Sequence, residues 1–136
     1  MNYRVIDMLR RLAIESPGVS ERRLSAGVVY KKRLIATGVN SWKTHPLMCE
    51  KNGYREGQIF LHAEVDAIKN ALRLITQDDL TKCDLYVYRA KRPHPHSTKW
   101  IQGLAKPCDG CAMTIATFGV NNVIYSTDHD GIFEVL

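Results

Sequence analysis

Three residues of the type zinc prefers stand in two short fragments, His62-Ala63-Glu64 and Pro107-Cys108-Asp109-Gly110-Cys111. One imidazole and two thiolates satisfy three positions of a tetrahedral zinc, and the fourth stays open for water. An open position is the mark of a catalytic metal rather than a structural one. Glu64 lies two residues beyond the histidine, too near in sequence to serve as the fourth ligand but placed to move protons to and from that water. The pair is far more specific than either half. By composition alone an H-x-E should occur in roughly one chain in five of this length, and a P-C-x-x-C in about one in a thousand. Other readings of the Cys pair fare worse. A redox dithiol would need a βαβ context and no histidine partner, and a structural zinc would need two further ligands, which Cys49 and Cys83 are not spaced to supply.

The rest of the chain must bring these fragments together. Its 136 residues fit one domain, 1–136, that can bury a core without disulfides. Apolar residues make up 45% and charged residues 24%, the balance of a globular protein. No apolar run reaches the ~20 residues that cross a bilayer, so no membrane partner is expected. The N-terminal residues lack the pattern of a secretory signal. With two cysteines assigned to metal, Cys49 and Cys83 read as free thiols, which points to a reducing, cytoplasmic setting. A net charge of +5 suits a phosphate-bearing partner, whether a nucleotide or single-stranded nucleic acid.

Apolar residues Val5, Ile6, Leu9, Leu12 and Ala13 repeat at helical spacing, and Ser16-Pro17-Gly18 ends that helix. Residues 26–30 and 34–37 read as strands joined by Lys31-Lys32-Arg33, a charged turn. An irregular stretch runs from Gly38 to Gln58, and its Trp42-Lys43-Thr44-His45-Pro46 reads as a gate over a substrate. A helix beginning at His62 should extend to about Gln77. Residues 84–89 form a third strand, Cys108 and Cys111 open a helix closed by Gly119, and residues 123–126 and 132–136 are the last two strands. Both ligand pairs thus fall at helix N-termini, where backbone amides and the dipole favour thiolate. The order predicts an α/β fold: a three-layer α/β/α sandwich whose five-stranded mixed sheet is flanked by three helices. Thr127-Asp128-His129-Asp130-Gly131 leaves room only for a tight turn, so the last two strands should form an antiparallel hairpin.

With these residues the chain resembles the cytidine deaminase-like superfamily, which includes cytidine, deoxycytidylate and tRNA-adenosine deaminases and polynucleotide editors. The resemblance in element order spans residues 3–136, and in motif it is confined to 38–40, 62–68 and 107–125. His62-Ala63-Glu64-Val65-Asp66-Ala67-Ile68 is most similar to the deoxycytidylate enzymes. The resemblance implies Zn2+ held by His62, Cys108 and Cys111, Glu64 as catalytic proton shuttle, and Asn40 and Ala63 as substrate contacts. It also implies a homo-oligomer. The activity expected is hydrolytic deamination of a cytosine nucleotide, foremost deoxycytidine monophosphate to deoxyuridine monophosphate. The rival is deamination of cytosine or adenine in single-stranded DNA or RNA, and a third reading is a zinc-stabilised binding domain without chemistry. Two features depart from the family pattern. The closing hairpin matches free cytidine deaminases rather than deoxycytidylate deaminases. An insertion, Ala90 to Lys106, precedes the cysteines and carries cations, His94, His96 and Trp100. It reads equally as a loop that holds phosphate and stacks Trp100 on a base, or as a polar loop anchored by that tryptophan.

Overall fold

The computed structural model describes residues 1–19, 21–42 and 62–136. The gate motif at 43–46, the remainder of the irregular stretch to Gln58, and Cys49 lie outside them. Helix α1 (Tyr3–Glu15) starts where the Asn2 side chain accepts a bond from the Val5 amide, at 3.3 Å. It buries Val5, Leu9 and Ala13, one residue per turn along a single stripe. Strands β1 (Arg23–Tyr30) and β2 (Arg33–Val39) pair antiparallel through a two-residue turn. Lys31 and Lys32 both take positive φ there, 50° and 66°, the geometry that matches strand twist in a tight hairpin.

The centre of the sheet is β3 (Asp84–Lys91), antiparallel to β1 and parallel to β5 (Asn122–Ser126), in the order β2-β1-β3-β5-β6. Strand alternation sorts its side chains. Leu85 and Val87 face the core shared with α2 (Ala63–Ala71) and α4 (Asp109–Phe118), while Tyr86 and Tyr88 face α1. Three layers result, as the sequence implies. The closing pair, β5 and β6 (Phe133–Val135), is antiparallel, also as expected.

Two expectations need correction. The sheet has six strands rather than five, because Ile101–Gly103 inside the insertion forms β4 and pairs antiparallel with Arg89–Lys91. A three-residue strand is too short to show a period, so only its partner reveals it. Among the described residues there are four helices rather than three, because α2 stops at Ala71 instead of reaching Gln77. Thr76 there caps a separate short helix, α3 (Gln77–Leu80), in a reciprocal box with Asp79. A Thr with an acidic residue three positions on offers the backbone a new start that competes with continuing the old helix.

Helix α2 sits directly on β2. Asp66 accepts from the Val39 amide at 3.1 Å, and the Asn70 side chain donates to the Thr37 carbonyl at 2.8 Å. Gly38 makes this approach possible. A Cβ there would lie 2.3 Å from the Ala67 nitrogen and 2.6 Å from the Ala63 oxygen, both backbone atoms. Gly38→Ala should therefore destabilise the protein by about 3 kcal/mol, the upper range for overpacking, because neither neighbour can rotate away. A fall in Tm of roughly 10 °C is the expected reading, and an unchanged Tm would refute the tight contact.

Candidate metal and catalytic site

His62 is the N-cap of α2, with Ala63 and Glu64 as its first two helical residues. Cys108 is the N-cap of α4, and its sulfur accepts from the Cys111 amide at 3.4 Å. The two caps face each other because β3 and β5 run parallel: α4 crosses between them and begins at the same sheet edge as α2. His62 Nδ1 lies 3.1 Å from Cys111 Sγ and 3.4 Å from Cys108 Sγ. All three donor atoms fall within 4.8 Å of one another, and no other such group of His, Cys, Asp and Glu occurs among the described residues.

The donor set fits zinc. Bonds of about 2.0–2.1 Å to nitrogen and about 2.3 Å to sulfur, at a tetrahedral angle, put nitrogen and sulfur about 3.5 Å apart. The observed separations are near that value. The Cys108 thiol is lowered to about 4, first by hydrogen bonding with Cys111 and then with His62, against the opposing effect of burial. It is thus a thiolate at neutral pH, the ligating form.

Glu64 is buried, at 4% exposure, and burial pushes its carboxyl above the ordinary range. The backbone hydrogen bond and the charge of His62 pull the other way but are smaller. A carboxyl raised in this manner exchanges protons closer to neutrality than a solvated one, which suits a shuttle.

These groups line a cavity of about 270 Å³, which His62, Ala63, Glu64 and Cys108 share with Asn40. Cys111, fully buried, approaches the cluster from behind. Asn40 is itself buried, its amide already committed to the start of β1: Oδ1 accepts from the Leu24 amide and Nδ2 donates to the Arg22 carbonyl. Five of the six motif and substrate residues expected at one site besides Cys111 were Glu64, His62, Cys108, Asn40 and Ala63, and all five lie there. Trp100 does not. It packs on the α1 face, against the cluster of Val5, Leu9, Tyr86 and Tyr88, with the Arg23 guanidinium 4.9 Å and that of Arg92 5.5 Å from its ring centre. This placement makes the tryptophan an anchor of the insertion rather than a ring stacked on a base. His94 and His96 are exposed and outside the cluster. Arg22, Leu24, Arg89, Leu104 and Lys106 complete the lining and carry no motif by which spacing alone would single them out.

Residues 3–127 match the family model described as the cytidine and deoxycytidylate deaminase zinc-binding region. Among solved structures, a dCMP deaminase from the cyanophage S-TIM5, in apo form, is similar at 20% identity and a TM-score of 0.59, with 91% of this chain and 80% of that one covered. No curated protein sequence matches.

Proposed function

Because the chain belongs to the cytidine and deoxycytidylate deaminase zinc-binding family, and so is a zinc-dependent hydrolase, we propose that it converts deoxycytidine monophosphate to deoxyuridine monophosphate. The convergence of His62, Cys108 and Cys111 beside a buried Glu64 carries this reading. The cavity supports a small substrate. At about 270 Å³ it is near the lower end of ligand pockets, ~300–1,000 Å³, and suits one nucleotide.

When bound by His62, Cys108 and Cys111, zinc supplies the Lewis acidity that makes water a nucleophile at neutral pH. Glu64 does the proton work. It accepts the proton given up by the attacking water and delivers it to ring N3, then takes the proton of the hydroxyl newly formed at C4 and passes it to the departing exocyclic amine, so that C4 keeps the oxygen as a carbonyl and ammonia leaves. Ala63 presents a backbone and a single methyl group to the cavity, leaving width for a flat ring between the two helix caps. Asn40, pinned to β1, would contact the sugar from the opposite wall.

The second reading, a cytosine or adenine deaminase of single-stranded nucleic acid, is favoured by the net charge of +5 and the basic residues of the insertion. Ammonia release from deoxycytidine monophosphate, cytidine, adenosine monophosphate and a cytosine-bearing oligonucleotide separates the two. The proposal expects the monophosphate to be fastest by at least ~10-fold in kcat/KM, and a faster oligonucleotide would replace it with the second reading. The same reading treats residues 1–136 as one catalytic domain acting as a homo-oligomer in the cytoplasm, for which sedimentation velocity and cell fractionation are the checks. No helix among the described residues is long and apolar enough to cross a membrane.

A further inference from the structure

Arg89 is the cation of the cavity lining that carries an unmatched buried donor. It stands near the end of β3, half-buried, and its Nε is cut off from solvent with no hydrogen-bond partner among the described residues. A buried donor on a charged group is costly to leave unmatched, so its presence calls for an acceptor. Asp128, a carboxylate that feels its charge, already accepts from Lys91 at 2.7 Å and from the Leu104 amide at 3.1 Å. Among the described residues, Glu64 is the only carboxylate in the lining.

Strand β4 explains how Arg89 is presented. Gly103 is its partner across the β3–β4 ladder, and a Cβ at Gly103 would lie 3.2–3.3 Å from the Cδ and Cγ of Arg89. A bare backbone at that position lets the arginine stem lie along the strand. Leaving β4, the chain contributes Leu104 and then Lys106 to the same cavity. Arg22 adds a third cation to the lining, its carbonyl held by the Asn40 amide.

We infer that Arg89, together with Arg22 and Lys106, binds the phosphate monoester of the substrate, and that the β4 insertion exists to present this clamp. The inference rests on the reading of the site as a nucleotide deaminase. Three cations around one carboxylate suit a group of nearly two negative charges better than the single charge of a phosphodiester. The guanidinium fork matches phosphate oxygens two at a time. Selectivity for nucleotide over nucleoside is then a property of these three cations rather than of the metal cluster.

The test compares zinc-loaded wild type, Arg89→Gln and Arg89→Lys on deoxycytidine monophosphate, deoxycytidine and the trinucleotide dT-dC-dT. Arg89→Gln should reduce the ratio of kcat/KM for the monophosphate over the nucleoside by about 100-fold, the loss expected for a charge-assisted pair, and Arg89→Lys should restore part of it. An equal fall on both substrates would make Arg89 merely structural, and a wild-type preference for the trinucleotide would overturn the monoester. Calorimetry of deoxycytidine monophosphate and inorganic phosphate on the Glu64→Ala background reads the clamp without turnover. Weaker binding with Arg89→Gln there supports the clamp even if none of the substrates is deaminated, whereas unchanged binding refutes it.

Discussion

Glu64→Ala is expected to retain one zinc per chain and to lose about 10⁴-fold in kcat, the upper range for general acid–base catalysis. The upper range applies because one carboxyl serves successive transfers: from water, to the ring nitrogen and to the leaving amine. No second carboxylate lines the cavity among the described residues, so nothing stands ready to substitute. The residue contributes no ligand to the cluster, which is His62, Cys108 and Cys111. Folding should not suffer either. A carboxyl raised by burial is held at a cost to stability, so its removal should leave Tm equal or higher. Metal content by mass spectrometry, Tm and turnover on one sample decide the matter. Turnover near wild type in a zinc-replete Glu64→Ala protein would remove Glu64 from the mechanism.

Cys111→Ser should produce the opposite pattern, with activity lost through metal rather than through protons. Cys111 is fully buried at the first turn of α4, and its sulfur is the donor closest to the His62 nitrogen. A serine hydroxyl is shorter, harder and protonated at neutral pH, so it replaces neither the charge nor the reach of a thiolate. Losing a residue that only hydrogen-bonds a ligand already costs 10–100-fold in affinity, so losing a ligand should cost at least ~10³-fold. Binding that favours the folded state also stabilises it, by about 4 kcal/mol when free zinc is near a thousand times its Kd. Wild type should accordingly drop in Tm on chelation, whereas Cys111→Ser should start low and not respond. Retention of zinc with wild-type affinity by Cys111→Ser would break the three-ligand assignment.

The contrast between Trp100 and Arg89 shows where reading the chain succeeded and where it could not. Trp100 drew notice because an aromatic among cations resembles a stacking platform, yet α1 covers that face and two arginines occupy its ring. Arg89 reads only as the first of a run of cations that leads into the insertion, at a strand end. Its significance comes from Gly103, fourteen positions later and directly across the ladder. Strand pairing between distant short segments leaves no local period, so such a neighbour is invisible until the register is known. The early end of α2 is a different case. Thr76 and Asp79 can be read as a capping box, but Val65, Ile68, Leu72 and Ile75 carry the apolar helical spacing on toward Gln77.

By itself the sequence determined the metal chemistry, the helix starts that carry it, and the closing hairpin. Ligand identity and cap residues are local properties, and Thr127 to Gly131 is too short to hold a crossover helix. Tertiary structure decided what shares the cavity with the metal site. Gly38 admits α2 to the surface of β2, parallel pairing of β3 with β5 brings the Cys108 cap opposite the His62 cap, and β4 turns Arg89 toward the same space. Each depends on a contact between segments far apart in the chain, whose energy belongs to the pair and to neither residue alone.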